Sequence, residues 1–182
     1  VGSPRRLTDH PGSVATPRFS PDGERIAYHR VVDGQRDIWT LSVPDGQPEP
    51  FTDDPAMDTN PAFAPDGSKL AFVSDRSGTD RVWIAEFADG EMIGDPFMVT
   101  GGDQTDRFPD WSPDGTQLAF IRDGDVWVTR VEPGQTARRL TDGANATIAR
   151  WEASGNSLLV SGSWDTQEVH LSRVTARDGV SV

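Results

Sequence analysis

The chain has 182 residues, 29 acidic and 17 basic, and its formal charge of −12 at pH 7 excludes binding to a phosphate backbone through a basic stripe. It has no cysteine, which removes disulfides and thiolate metal sites, and no apolar run of the roughly 18 residues a membrane span needs. Hydrophobic residues make up 35%, enough for a core with wide polar edges, and Lys69 is the only lysine, a bias that identifies no partner.

The first element in chain order is a short segment, Arg5 to Thr8, ending on a Leu7-Thr8 pair. A first strand then carries Phe19 into the phrase Phe19-Ser-Pro-Asp-Gly23. There proline fixes φ at the second turn position, Asp bonds locally and Gly accepts a left-handed conformation, so the phrase closes a hairpin. The second strand, Ile26-Ala27-Tyr28, is a nearly continuous apolar run suited to a sheet covered on both faces. A third strand follows at Asp37 to Leu41, and a fourth ends at Phe51-Thr52.

The same order recurs as Phe63-Ala-Pro-Asp-Gly67, Leu70-Ala71-Phe72, Val82-Trp83-Ile84 and Val99-Thr100. It recurs again as Trp111-Ser-Pro-Asp-Gly115, Leu118-Ala119-Phe120, Val126-Trp127-Val128 and Leu140-Thr141. A worn copy reads Trp151-Glu-Ala-Ser-Gly155, Leu158-Leu159-Val160 and Val169-His170-Leu171, with a last candidate outer strand at Gly179 to Val182. Between second and third strands, Asp123-Gly124 is a two-residue hairpin signal, while the connections at 33–36 and 75–80 are expected to be longer.

The glycines that close these turns lie 40 to 48 residues apart, a period of propellers and solenoids. Four strands per period select an all-β fold, a β-propeller with four blades of four antiparallel strands. It forms one domain over 1–182, with repeats at about 5–48, 49–96, 97–137 and 138–182. One outer-strand phrase is surplus to a closed ring of four. In a closed ring Arg5 to Thr8 would complete the last blade; the reading adopted is that it belongs to a preceding blade and that the chain is a segment of a larger ring. Such a segment leaves strand edges and apolar faces uncovered, which predicts self-association or low stability of the isolated chain, weakest at the worn fourth unit.

The phrases Pro17-Arg-Phe-Ser-Pro-Asp-Gly-Glu-Arg-Ile-Ala-Tyr28 and Phe108-Pro-Asp-Trp-Ser-Pro-Asp-Gly-Thr-Gln-Leu-Ala-Phe120 resemble the repeat of TolB-type β-propellers, related to WD-repeat blades. The resemblance covers residues 5 to about 175 and is specific for the blade. It implies a non-catalytic scaffold with a protein partner, no nucleic acid, no membrane insertion and a periplasmic or otherwise exported location. The same repeat occurs in prolyl oligopeptidase propellers, so an alternative is the non-catalytic propeller of a larger serine hydrolase. A third reading is a metal-binding or polysaccharide-acting propeller.

Candidate chemistry is sparse. No Gly-x-Ser-x-Gly elbow occurs, Gly162-Ser-Trp164 lacking its second glycine. His170 stands where Trp39, Trp83 and Trp127 stand in the other units and reads as a core substitute; His10 and His29 lack a recurrent acidic partner. Those three tryptophans share one register, and Trp111 and Trp151 share another with Phe19 and Phe63, so both sets are expected between blades. Trp164 falls outside both and is a candidate exposed binding residue.

Asp58 and Asp106 precede the innermost strand of their units, where Val14 and Ala146 stand in the others, and are expected at the channel mouth with Asn60 and Asp103 nearby. Converging carboxylates there could hold Ca²⁺, the one cofactor considered, whereas the plainer role is capping local N–H groups. Asp22, Asp66 and Asp114 read as turn residues, and the sequon Asn145-Ala-Thr147 matters only in a secreted eukaryotic protein.

Overall fold

The computed structural model describes residues 3–164 and 168–176. Among them every regular element is a strand, so no helix is long and apolar enough to cross a membrane. Blade 1 comprises β1 (Ser13–Phe19), β2 (Arg25–Val32), β3 (Gln35–Ser42) and β4 (Glu49–Pro50). Blade 2 comprises β5 (Asp58–Phe63), β6 (Lys69–Ser74), β7 (Arg81–Ala88) and β8 (Glu91–Met98). Blade 3 comprises β9 (Asp106–Trp111), β10 (Gln117–Arg122), β11 (Asp125–Arg130) and β12 (Arg138–Arg139). Blade 4 has three described strands, β13 (Ile148–Trp151), β14 (Ser157–Gly162) and β15 (His170–Thr175). Each sheet is an antiparallel meander in chain order, and the four form a four-bladed propeller. The candidate outer strand at 179–182 lies outside the described residues.

The turn phrase folds the same way four times. The N–H groups of Gly23, Gly67, Gly115 and Gly155 each donate, at 2.9 Å, to the carbonyl three residues earlier, and all four glycines lie at φ between +69° and +76°. Asp22 accepts from the Glu24 N–H and the Ser20 hydroxyl; Asp66 and Asp114 do the same for Ser68 and Thr116. The fourth turn keeps this backbone although Ser154 replaces the aspartate, so the wear in its sequence does not reach its geometry. Asp33-Gly34 is also a two-residue turn with both φ positive, like Asp123-Gly124; of the two connections expected to be longer, only 75–80 is. The threonine pairs close the first three blades, because Thr52, Thr100 and Thr141 accept, at 2.9 Å, the N–H groups of Ile38, Val82 and Val126 in the neighbouring third strand.

Apolar clusters form between successive blades. Ala27 and Ile38 of blade 1 meet Leu70 and Phe72 of blade 2; Ala71 and Val82 meet Leu118 and Phe120; Ala119 and Val126 meet Leu158 and Val174. The small Ala of each second strand admits the large side chain of the next. Turns stack as well, since Pro21, Pro65 and Pro113 lie within 4 Å of where a Cβ on Gly67, Gly115 or Gly155 would sit. Among the described residues this register has no partner at the ends: Phe19 is 64% exposed, and Leu159, in the place of Ala27, Ala71 and Ala119, is 37% exposed.

Three expectations are corrected. Trp39, Trp83 and Trp127 share one environment, but it is half-buried rather than enclosed. His170 is not their counterpart: those tryptophans pair with Tyr28, Phe72 and Phe120, whereas the partner of Val160 is Ser172, and His170 is exposed opposite Gly162. The worn third strand is therefore displaced by two residues. Finally, Arg5 to Thr8 is not a strand and lies along blade 1, where Arg5 donates to the Pro44 carbonyl at 3.1 Å and pairs with Asp45.

Candidate functional site

The two aspartates singled out in the sequence are occupied within their own blades. Asp58 is fully buried, and both its carboxylate oxygens accept from Arg76 Nη2, Oδ2 at 2.9 Å and Oδ1 at 3.2 Å. Asp106 is equally buried and accepts from Arg122 Nε at 2.6 Å and Nη2 at 2.9 Å. Each guanidinium then lies about 5 Å over two rings, Arg76 over Phe72 and Trp83, Arg122 over Phe120 and Trp127. This explains the half-burial of the tryptophans, whose outer faces are roofed by arginine. Enclosure raises the Asp58 pKa, against the pull of the Ser74 hydroxyl and Arg76.

In blade 1, where Val14 replaces the aspartate, His10 stacks on Tyr28 and bonds its hydroxyl at 3.0 Å, while Arg30 covers Trp39 at 4.6 Å. In blade 4 the aspartate, arginine and tryptophan positions are Ala146, Gly162 and Ser172. Asp58 and Asp106 thus act through their arginines, and among the described residues no group of three or more His, Asp or Glu is assembled to hold a metal ion.

The end of the channel that bears the second-to-third-strand turns has its own geometry. β1, β5 and β9 each shift register at a bulge, and there Thr16, Asn60 and Phe108 have φ of 51°, 53° and 54°. A left-handed conformation is unfavourable for threonine and phenylalanine and persists where the surroundings over-determine it, often in binding regions. Asn60, Arg107 and Phe108, with His29, Arg36 and Asp80, line a cavity of about 370 Å³ where blades 1, 2 and 3 converge. The Thr16 hydroxyl lies 2.9 Å from His29 Nδ1 and fixes that ring. Burial, then the Arg36 charge, push the His29 pKa below its ordinary value, so the ring is neutral at pH 7. Asp103 is exposed on the 101–105 loop, and Trp164 is half-buried against the cluster between blades 3 and 4.

Nearer the Ser-Pro-Asp-Gly end, Asp110 accepts the Trp151 N–H at 2.8 Å across the seam from blade 3 to blade 4, with Arg150 at 3.4 Å. Burial pushes its carboxyl up to about 6, against the lowering effects of that N–H and of Arg18 on blade 1. Sequence reasoning missed Asp110, and the partner arginines too. A signal for the arginines was present: Arg122 ends the second strand of its unit and Arg76 follows its own by two residues, both in units that have the aspartate, and the fourth unit lacks both.

The sequence matches the TolB beta propeller domain over residues 2–178. No protein of curated function matches it in sequence. Among solved structures, a putative TolB from Agrobacterium tumefaciens superposes with a TM-score of 0.80 at 20% identity, covering 99% of this chain and 68% of that one. TolB from Acinetobacter baumannii gives 0.74 at 18% identity, covering 93% of this chain and 43% of that one. A puromycin-hydrolysing peptidase of Mycobacterium tuberculosis gives 0.72 at 15% identity, covering 98% of this chain and 29% of that one. Blade geometry, turn phrase and match over nearly the whole length agree: the chain belongs to the TolB β-propeller domain family.

Proposed function

We propose that the chain is a non-catalytic binding scaffold that engages another protein at the bulged end of its channel. The observation that carries this is the repeated left-handed bulge, which presents Thr16, Asn60 and Phe108 on one backbone frame. A constant frame with changing side chains is how rigid scaffolds carry recognition. The uncovered Phe19 and Leu159 support reading the four blades as an arc of a larger propeller. The family resemblance supports an exported, periplasmic location, which fractionation of cells expressing the native gene would test.

The scaffold reading is tested by immobilising the chain, capturing protein from an envelope extract and crosslinking at the interface. Phe108→Ser should abolish capture, whereas Lys69→Gln, at the opposite end, should leave it intact. Equal capture by both variants would overturn the reading. Similarity to the peptidase favours one alternative, the propeller domain of a larger serine hydrolase. A hydrolase domain in the same reading frame would establish that alternative.

A further inference from the structure

In a chain with 29 acidic and 17 basic residues, arginines should find carboxylates, and eight of those described do form ion pairs. Seven of those described do not, and two of the seven, Arg36 and Arg107, come from different blades, β3 of blade 1 and β9 of blade 3, and line the same cavity. Asp80 shares that cavity and forms an ion pair with neither. Two arginines without an ion pair therefore line a space of about 370 Å³, with Asp80, Asn60 and the His29 held by Thr16 on its wall. Guanidinium forks bind planar oxyanions in bidentate fashion, and an amide and an imidazole can complete the hydrogen bonds of a second carboxylate.

Resting on the scaffold reading, we infer that this cavity takes an acidic segment of the partner polypeptide, whose Asp or Glu carboxylates pair with Arg36 and Arg107. The scaffold reading makes the occupant a peptide, with an acidic sugar chain as the alternative the test separates. Val31, Val73 and Phe108 offer apolar contact suited to the stems of amino-acid side chains, beside the polar Ser13 and Thr59. The net charge of −12 opposes non-specific approach of an acidic ligand, so binding must come from these local groups and should weaken with salt.

The test uses the full chain with a blocked peptide of alternating Glu and Ala, its Gln counterpart and trigalacturonate, titrated calorimetrically at low and high salt. The Glu peptide should bind at least tenfold more tightly than the Gln peptide. Arg36→Gln and Arg107→Gln should each weaken it about tenfold, with unfolding midpoints unchanged because both side chains are exposed. Arg130→Gln, an exposed arginine that does not line this cavity, should have no effect. Absence of Glu-peptide binding, equal loss in Arg130→Gln, or tighter binding of trigalacturonate would overturn the inference. If the peptide fails while Phe108→Ser still abolishes protein capture, the scaffold reading stands and only the acidic segment is wrong.

Discussion

Blades 2 and 3 and blades 1 and 4 are written in nearly the same phrases yet differ in what those phrases enclose. In the inner pair a buried aspartate holds an arginine over a tryptophan, and both faces of each sheet are covered. In the outer pair the aspartate is Val14 or Ala146, and the residues that would meet a neighbour, Phe19 and Leu159, are uncovered. A propeller repeat therefore specifies two half-interfaces, and the energy of any position depends on the blade beside it.

The sharpest way to break this comparison is to remove the inner aspartate. Asp106→Ala leaves the Arg122 guanidinium buried without its partner, and deprives Arg81 of a carboxylate 3.9 Å away. The expected loss is about 3–5 kcal/mol, as when one member of a buried pair is removed. Val14→Ala in blade 1 should cost under about 1 kcal/mol, since that side chain is half exposed. Equal losses in denaturant titrations would show that the stack contributes no more than the position it occupies. The next effect is Trp83→Ala, which removes a large side chain and one of the two rings beneath Arg76. It should cost about 3 kcal/mol. A loss below about 1 kcal/mol would mean that the half-buried face does not contribute.

The fold was legible because turn, aromatic and apolar runs recur in phase, and each signal is local. What a residue faces across a seam is not local, and there sequence reasoning failed in particular ways. Asp58 and Asp106 stood out by recurrence and were placed facing the channel, but their arginines lie at the far end of the next strand, 16 to 18 residues away, and turn them inward. His170 was aligned to tryptophan by counting along a strand that is in fact displaced. Asp110 has no recurrent equivalent, so only the closure of blade 4 over it reveals its burial. Of the proposed mouth residues, Asn60 lines the cavity, whereas Arg36 and Arg107 carry no recurrent signal, because only the packing of three blades places them on one space.

The seam between an inner and an outer blade can be probed through pH. The folded-state pKa of Asp110 is raised to about 6 from 3.8, so its contribution is fully favourable below about 3.8 and is lost as pH rises through 6. Asp110→Asn keeps an acceptor for the Trp151 N–H without the buried charge. It should raise stability at pH 8 by up to about 2 kcal/mol, and the gain should vanish at pH 4. A variant less stable than wild type at pH 8 would show that Arg150 and Arg18 outweigh the cost of burial.

The smallest expected effect lies at the outer face of blade 4. Leu159 occupies the position where Ala27, Ala71 and Ala119 are fully buried against the following blade, and in blade 4 it is partly open. With 37% of its surface exposed, its replacement by serine should change the stability of the monomer by less than about 0.5 kcal/mol. The same face also exposes Leu171 at 72%, and apolar residues left open together favour association of one copy with another. Light scattering across a range of protein concentrations should therefore show self-association of the isolated chain that Leu159→Ser weakens while the unfolding midpoint of the dilute protein stays constant. If the wild-type chain is monodisperse at every concentration, the outer face of blade 4 is not adhesive, and the contrast between inner and outer blades is confined to the aspartate–arginine stack.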